Sequence, residues 1–162
     1  MDLCEAKQFY QDDMYGKECI AMAMRSNARQ NFGAVVVRSG HIIGSGRNHR
    51  SSVEERQKMW GVDYAVHAEE AAIMSAGLVG GEVTPQTMYV IGRINSGVRS
   101  GELNIRQNAA EGYTCVRCAK KLAHYALDVA IPTLDGWRVV NHQDASTQAI
   151  DYKQQRLLRQ FR

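Results

Sequence analysis

The stretch Ala65-Val66-His67-Ala68-Glu69-Glu70-Ala71-Ala72-Ile73-Met74-Ser75-Ala76-Gly77-Leu78 decides the fold. Ala68, Ala71, Ala72, Ile73 and Ala76 suit a helix, and Gly80-Gly81 is expected to close it. A His and a Glu two residues apart at a helix start both face its N-terminal end, so one can hold a metal while the other meets a bound water. Further on, Cys115-Val116-Arg117-Cys118 opens a second helix through Ala119, Leu122, Ala123, Tyr125 and Ala126. The first amides of that helix favour thiolates. Imidazole and thiolate donors suit Zn2+, and three protein ligands leave a fourth tetrahedral position for water. His67, Cys115 and Cys118 are therefore the expected metal ligands, with Glu69 as the proton carrier. A His-X-Glu triplet or a Cys-X-X-Cys pair is weak evidence alone. A structural zinc knuckle or a reduced buried thiol pair stays open as the blander reading, but it leaves Glu69 without a purpose.

The composition bounds what surrounds this pair of helices. With 162 residues, 44% of them hydrophobic, the chain is expected to form one domain over residues 1–162, with a core that needs no staples. Four cysteines, unevenly spaced, do not make a disulfide scaffold, and Met1-Asp2-Leu3-Cys4-Glu5 is acidic and polar, unlike a signal peptide. A reducing, cytoplasmic setting is expected, with no membrane association, because no apolar run reaches the ~18 residues of a span. The net charge of +3 fits a phosphorylated small substrate as well as loose contact with nucleic acid. Lys153, Arg156, Arg159 and Arg162 lie on an expected terminal helix and read as its solvated face.

Outside the two motifs, Tyr10, Met14, Ala21 and Met24 recur at helical spacing from Phe9 to about Arg25. Phe32 to Arg38 and His41 to Gly46 flank the turn pair Ser39-Gly40 and read as a β-hairpin. Arg47 to Tyr64 is polar and expected to be a long loop. Thr87–Gly92 is the third strand and Val129–Ile131 the fourth, and a last helix runs from Asp144 to Gln160. The order α-β-β-α-β-α-β-α predicts an α/β fold of three layers, α-β-α, with a mixed sheet flanked by helices.

Taken in order, Arg25-Ser26, Gly33-Ala34, Gly46-Arg47-Asn48, His67-Ala68-Glu69 and Cys115 with Cys118 resemble the cytidine deaminase superfamily, and within it the deoxycytidylate (dCMP) deaminases. The likeness runs from about Tyr10 to Pro132. It implies hydrolysis of a cytosine nucleotide, dCMP to dUMP with release of ammonia, supplying dUMP for thymidylate synthesis. Glu69 would shuttle protons between water, N3 and the departing amine. Asn48 would hold the sugar, the backbone around Ala68 would meet the base edge, and Arg25 with Ser26 would stand on the phosphate side. Arg56 and Lys58 are looser phosphate candidates, and Tyr113 either packs near the base or fills the core. The superfamily also implies a homo-oligomer. Alternative substrates are a base within RNA or DNA and a free nucleoside; a non-catalytic zinc module is a further alternative. Scattered aromatics, 7% of the chain, disfavour a nucleic-acid groove.

Two departures from the family pattern stand out. Thr114 replaces the proline that normally precedes the first zinc cysteine, which removes a fixed φ. Asn95 to Gly112 reads as an insertion, which could cover the pocket, bind a dCTP or dTTP effector, or make an oligomer contact. Cys4 and Cys19 could join His41, His49, His124 or His142 in a second zinc site, although no pair has tight ligand spacing. Cys19 reads better as a small core residue.

Overall fold

The computed structural model describes residues 13–28, 31–50, 65–80, 84–93, 115–133 and 136–160. Ser39 and Gly40 both take positive φ, 50° and 77°, the pattern of the tight turns whose twist suits a hairpin. They join β1 (Asn31–Arg38) to β2 (His41–Arg47) as expected. β5 (Gln86–Arg93) runs antiparallel along the other side of β1, and β6 (Leu127–Thr133) runs parallel to β5. β7 (Gly136–Val140) closes a five-stranded mixed sheet of order β2-β1-β5-β6-β7. The parallel pair requires a crossover, and α3 (Val116–His124), the cysteine-bearing helix, lies within it.

Alternation along the strands divides the core between the two sheet faces. Val35, Val37 and Ile91 turn toward α1 (Met14–Met24) and its Cys19 and Ile20. Ala34, Val36, Met88, Val90, Val129 and Ile131 turn the other way, toward α2 (Ala68–Ala76), α3 and α4 (His142–Gln160). The three-layer expectation therefore holds.

Several elements differ from the sequence reading, β6 among them, which runs from Leu127 to Thr133 rather than over Val129–Ile131 alone. α1 cannot run on from Phe9, because Asp13 is extended (φ −100°, ψ 106°) and its side chain accepts from the N–H groups of Tyr15 and Gly16 as an N-cap. α2 ends at Gly77 rather than Gly80-Gly81, since Gly77 adopts φ 61° and its N–H bonds to Met74 O. β7 is a fifth strand that the sequence reading lacks. Trp137 anchors it, meeting Tyr89 edge-on at a centroid distance of 4.8 Å and donating from Nε1 to the Asp13 carboxylate. α4 begins at His142, two residues early, because the side chains of Asp128 and Asn141 accept from its first amides. In the expected long loop, β3 (His49–Arg50) pairs antiparallel with β4 (Ala65–Val66), which ties the approach to His67 to the end of β2.

α2 sits unusually close to β2. A methyl group at Gly46 would fall 2.3 Å from Ala72 N, and one at Gly44 would fall 2.5 Å from Ala76 N. Backbone rests on backbone there, so the height of α2 above the sheet depends on both glycines. Gly46→Ala should lower stability by about 1–3 kcal/mol through overpacking. The midpoint of thermal unfolding of the metal-free protein measures this, and an unchanged midpoint would show that α2 does not seat on Gly46.

Among the described residues, no helix is long and apolar enough to cross a membrane. Lys153 and Arg159 on α4 are exposed, as a solvated face requires.

Candidate active site

His67 is the N-cap of α2 and Cys115 the N-cap of α3, each with extended backbone (φ −80°, ψ 153° and φ −72°, ψ 160°). Both side chains therefore leave their helices at the amino end. Residues 48 positions apart in sequence converge here. His67 Nδ1 lies 3.1 Å from Cys118 Sγ and 3.4 Å from Cys115 Sγ, and the three ligand atoms all fall within 4.8 Å of one another. Bonds of ~2.0–2.1 Å to nitrogen and ~2.3 Å to sulfur in a tetrahedron put such donors roughly 3.5 Å apart. Donor types and spacing thus fit Zn2+, and three protein ligands match the open arrangement of a catalytic centre.

The protonation chemistry points the same way. Hydrogen bonding from Cys118 pulls the Cys115 thiol well below its ordinary range, with the His67 bond and the Cys118 amide (3.4 Å) adding to the effect. The same shared hydrogen bond, then burial, push Cys118 upward. The bond to Cys115, then the charges of Cys115 and Glu69, raise the His67 imidazole against the opposing effect of burial. Metal binding needs thiolates and a neutral imidazole, the forms that the shifts at Cys118 and His67 disfavour, so zinc affinity should rise with pH and fall on acidification. Competition with a chelator at several pH values tests this; a flat profile would contradict it.

Glu69, in the first turn of α2, is only 8% exposed, and its charge is felt by both His67 and Cys118. That places a carboxylate beside the ligand cluster without making it a ligand. Ala68, expected to meet the base edge through its backbone, is fully buried in the core cluster between α2 and the sheet.

Of the other expected site residues, Ser26 and Asn48 are brought together. Ser26 Oγ lies 2.7 Å from both Asn48 O and Asn48 Oδ1, and Phe32 N–H donates to the same Oδ1 at 2.8 Å. The Asn48 side chain is thus held by the end of α1 and by β1. Arg25 is exposed, and its carbonyl accepts from the Arg47 guanidinium. Arg56, Lys58, Tyr113, Thr114 and the 95–112 segment lie outside the described residues.

A cavity of about 330 Å3 opens beside this group, lined by Met22, Asn27, Ser45, Gly46, Arg47, His49 and Ala71. None of the zinc ligands lines it. Neither Arg47 nor His49 is among the expected substrate residues, His49 having been weighed only for a second zinc site. Their signal was the basic run Arg47-Asn48-His49-Arg50 directly after Gly44-Ser45-Gly46.

Among the described residues, His67, Cys115 and Cys118 form the one group able to hold a metal. Cys19 lies on the opposite sheet face with Sγ donating to Tyr89 O at 3.3 Å, and His142 bonds Asp128 at 3.1 Å. Cys4, the other cysteine considered for a second site, lies outside the described residues.

The family model for the cytidine and deoxycytidylate deaminase zinc-binding region matches residues 10–131. No curated protein matches the sequence significantly. The fold is similar to cytidine deaminase from Burkholderia pseudomallei, at 18% identity over 80% of this chain and 91% of that one, with a TM-score of 0.50. Also similar is the dCMP deaminase from the cyanophage S-TIM5 in apo form, at 16% identity over 88% and 92% of the two chains, with a TM-score of 0.48.

Proposed function

The chain belongs to the cytidine and deoxycytidylate deaminase family, and from that premise we propose that it hydrolyses dCMP to dUMP and ammonia as a single cytoplasmic domain supplying dUMP for thymidylate synthesis. The observation that carries the reading is the convergence of His67, Cys115 and Cys118 with the buried carboxylate of Glu69 on the adjoining helical turn. A structural zinc site closes its fourth position with another ligand and has no use for that carboxylate.

His67, Cys115 and Cys118 would hold Zn2+, which when bound supplies the Lewis acidity that makes a water molecule acidic near neutral pH. Glu69 accepts a proton from the attacking water and delivers it to N3 of the cytosine ring. As the C4–N bond breaks, Glu69 passes the second water proton to the amine, which leaves as ammonia while C4 keeps the oxygen as the uracil carbonyl. Asn48, its carbonyl oxygen anchored by Ser26 and Phe32, orients the sugar. Arg25, Ser26 and the cavity holding Arg47 and His49 supply cationic and polar groups for a phosphate. Arg56, Lys58 and Tyr113 are assigned to the substrate side on family resemblance. Homo-oligomer formation is assigned on the same ground, and a dCTP or dTTP effector is one of the occupants open to the insertion at 95–112.

Ammonia release by the zinc-loaded protein against dCMP, CMP, deoxycytidine, dCTP and a cytosine-containing oligonucleotide tests the reading. Selective turnover of dCMP is expected. Turnover of the oligonucleotide alone would move the function to nucleic acid, and turnover of deoxycytidine at the dCMP rate would remove the phosphate from recognition.

A further inference from the structure

The site contains one buried charge that the chemistry above does not use. Glu70, beside Glu69, is only 3% exposed, yet its carboxylate reaches across to the other ligand-bearing helix. Oε1 accepts from the His67 backbone N–H at 3.2 Å and from Arg117 Nε at 3.0 Å, with Arg117 Nη2 paired to the same oxygen. Oε2 is paired with Lys121 Nζ.

We propose that Glu70 is the positioning residue of the metal centre, a carboxylate clamp that fixes the His67 end of α2 against the Cys115–Cys118 end of α3. The inference rests on the zinc reading of that site and concerns how its ligands are kept in register. Arg117 stands between the two cysteine ligands, and Lys121 follows four residues later on the same side of α3. One oxygen of Glu70 thus touches the backbone of one ligand residue and a side chain next to another. α2 packs chiefly on β2 and β1, and α3 chiefly on α4, so among the described residues the two ligand-bearing helices touch little beyond the ligand cluster and this clamp.

A lone buried carboxylate is strongly unfavourable, and two cations with a backbone amide offset that cost. The same pairing keeps the Glu70 carboxylate turned toward α3. Two neighbouring carboxylates thereby divide the work: Glu69 faces the reaction, and Glu70 holds the ligands that make it possible.

Glu70→Gln keeps an oxygen able to accept from the His67 amide but removes the charge, and Arg117→Gln removes the partner at a position whose side chain is 36% exposed. Each should weaken zinc binding by about 10- to 100-fold, the usual cost of losing an outer-shell partner. Chelator competition measures the affinity. The ligand-field spectrum of the cobalt(II)-substituted protein measures the geometry, and it should change in both variants. A purely structural contact would lower the unfolding temperature of metal-free protein and leave cobalt geometry and zinc affinity alone. A folded variant of either kind that binds zinc within about twofold of the parent, with the parental cobalt spectrum, overturns the assignment. Should Glu70→Gln not fold, Arg117→Gln decides. A parent protein that binds no zinc refutes the metal reading itself, whereas a binding parent with unaffected variants refutes only the clamp.

Discussion

Glu69→Gln should lose nearly all turnover of dCMP while keeping its zinc. The substitution preserves the size of a side chain that is only 8% exposed, so packing at the start of α2 should survive. What disappears is the group proposed to take two protons from water, passing one to N3 and the other to the leaving amine. A positioned acid–base group is worth roughly 10²- to 10⁴-fold, and Glu69 serves in two transfers, so a loss near the upper end is expected. Metal retention follows from electrostatics. The negative charge of Glu69 raises both His67 and Cys118, so its removal eases their deprotonation while also withdrawing a carboxylate that attracts the cation. The two effects oppose each other, and zinc content per chain should stay near the parental value. Ammonia release and elemental analysis on the same preparation check both halves. A variant with more than about a tenth of parental turnover would remove Glu69 from the proton path.

The metal donors were legible because their chemistry is local. His67 and Cys115 both stand where a helix begins, and the apolar runs behind them announce those helices in the sequence. The hairpin was equally plain, since Ser39-Gly40 separates two β-rich runs and the chain turns there at positive φ. β7 was missed although Asp135-Gly136 is a turn dipeptide and Trp137, Val139 and Val140 favour a strand. In its partner β6 only Val129–Ile131 stands out in the sequence, rather than Leu127–Thr133, and so short a fourth strand gives a fifth little to pair with.

Glu70 was hidden for a different reason. Its partners Arg117 and Lys121 are 47 and 51 positions away, and no periodicity links residues on separate helices. The available hint was a carboxylate three residues after a helix cap, the spacing at which a side chain reaches back to the cap's amide. That hint explains the His67 contact but not the cations. The substrate side shows the same limit: Ser26 meets Asn48 only because the end of α1 lies over the end of β2, a contact that depends on how closely α1 packs on Gly33.

Cys118→Ala should abolish tight zinc binding, and with it activity, while leaving the sheet folded. Cys118 is 1% exposed and would supply one of three protein ligands, and among the described residues no further thiol lies with the group. Structural zinc sites gain ~10–16 kcal/mol from the whole ligand set, which assigns roughly 3 kcal/mol or more to one thiolate, about two orders of magnitude in Kd. The core should tolerate the change because its largest buried side chains, Met88, Ile91, Leu122 and Leu127, are apolar and spread over both sheet faces. Thermal unfolding with and without zinc makes the contrast measurable. Ligand at about a hundred times Kd stabilises the parent by ~2.7 kcal/mol, a rise of roughly 5–10 °C for a chain of this size; the variant at the same zinc concentration should show almost none. Cys19→Ala is the matched control, since Cys19 is just as buried but lies on the opposite face of the sheet against Tyr89. It should lower the metal-free midpoint and keep the full zinc-dependent rise. Equal zinc responses from Cys118→Ala and Cys19→Ala would mean that the metal is held elsewhere, and the assignment of His67, Cys115 and Cys118 would fall with it.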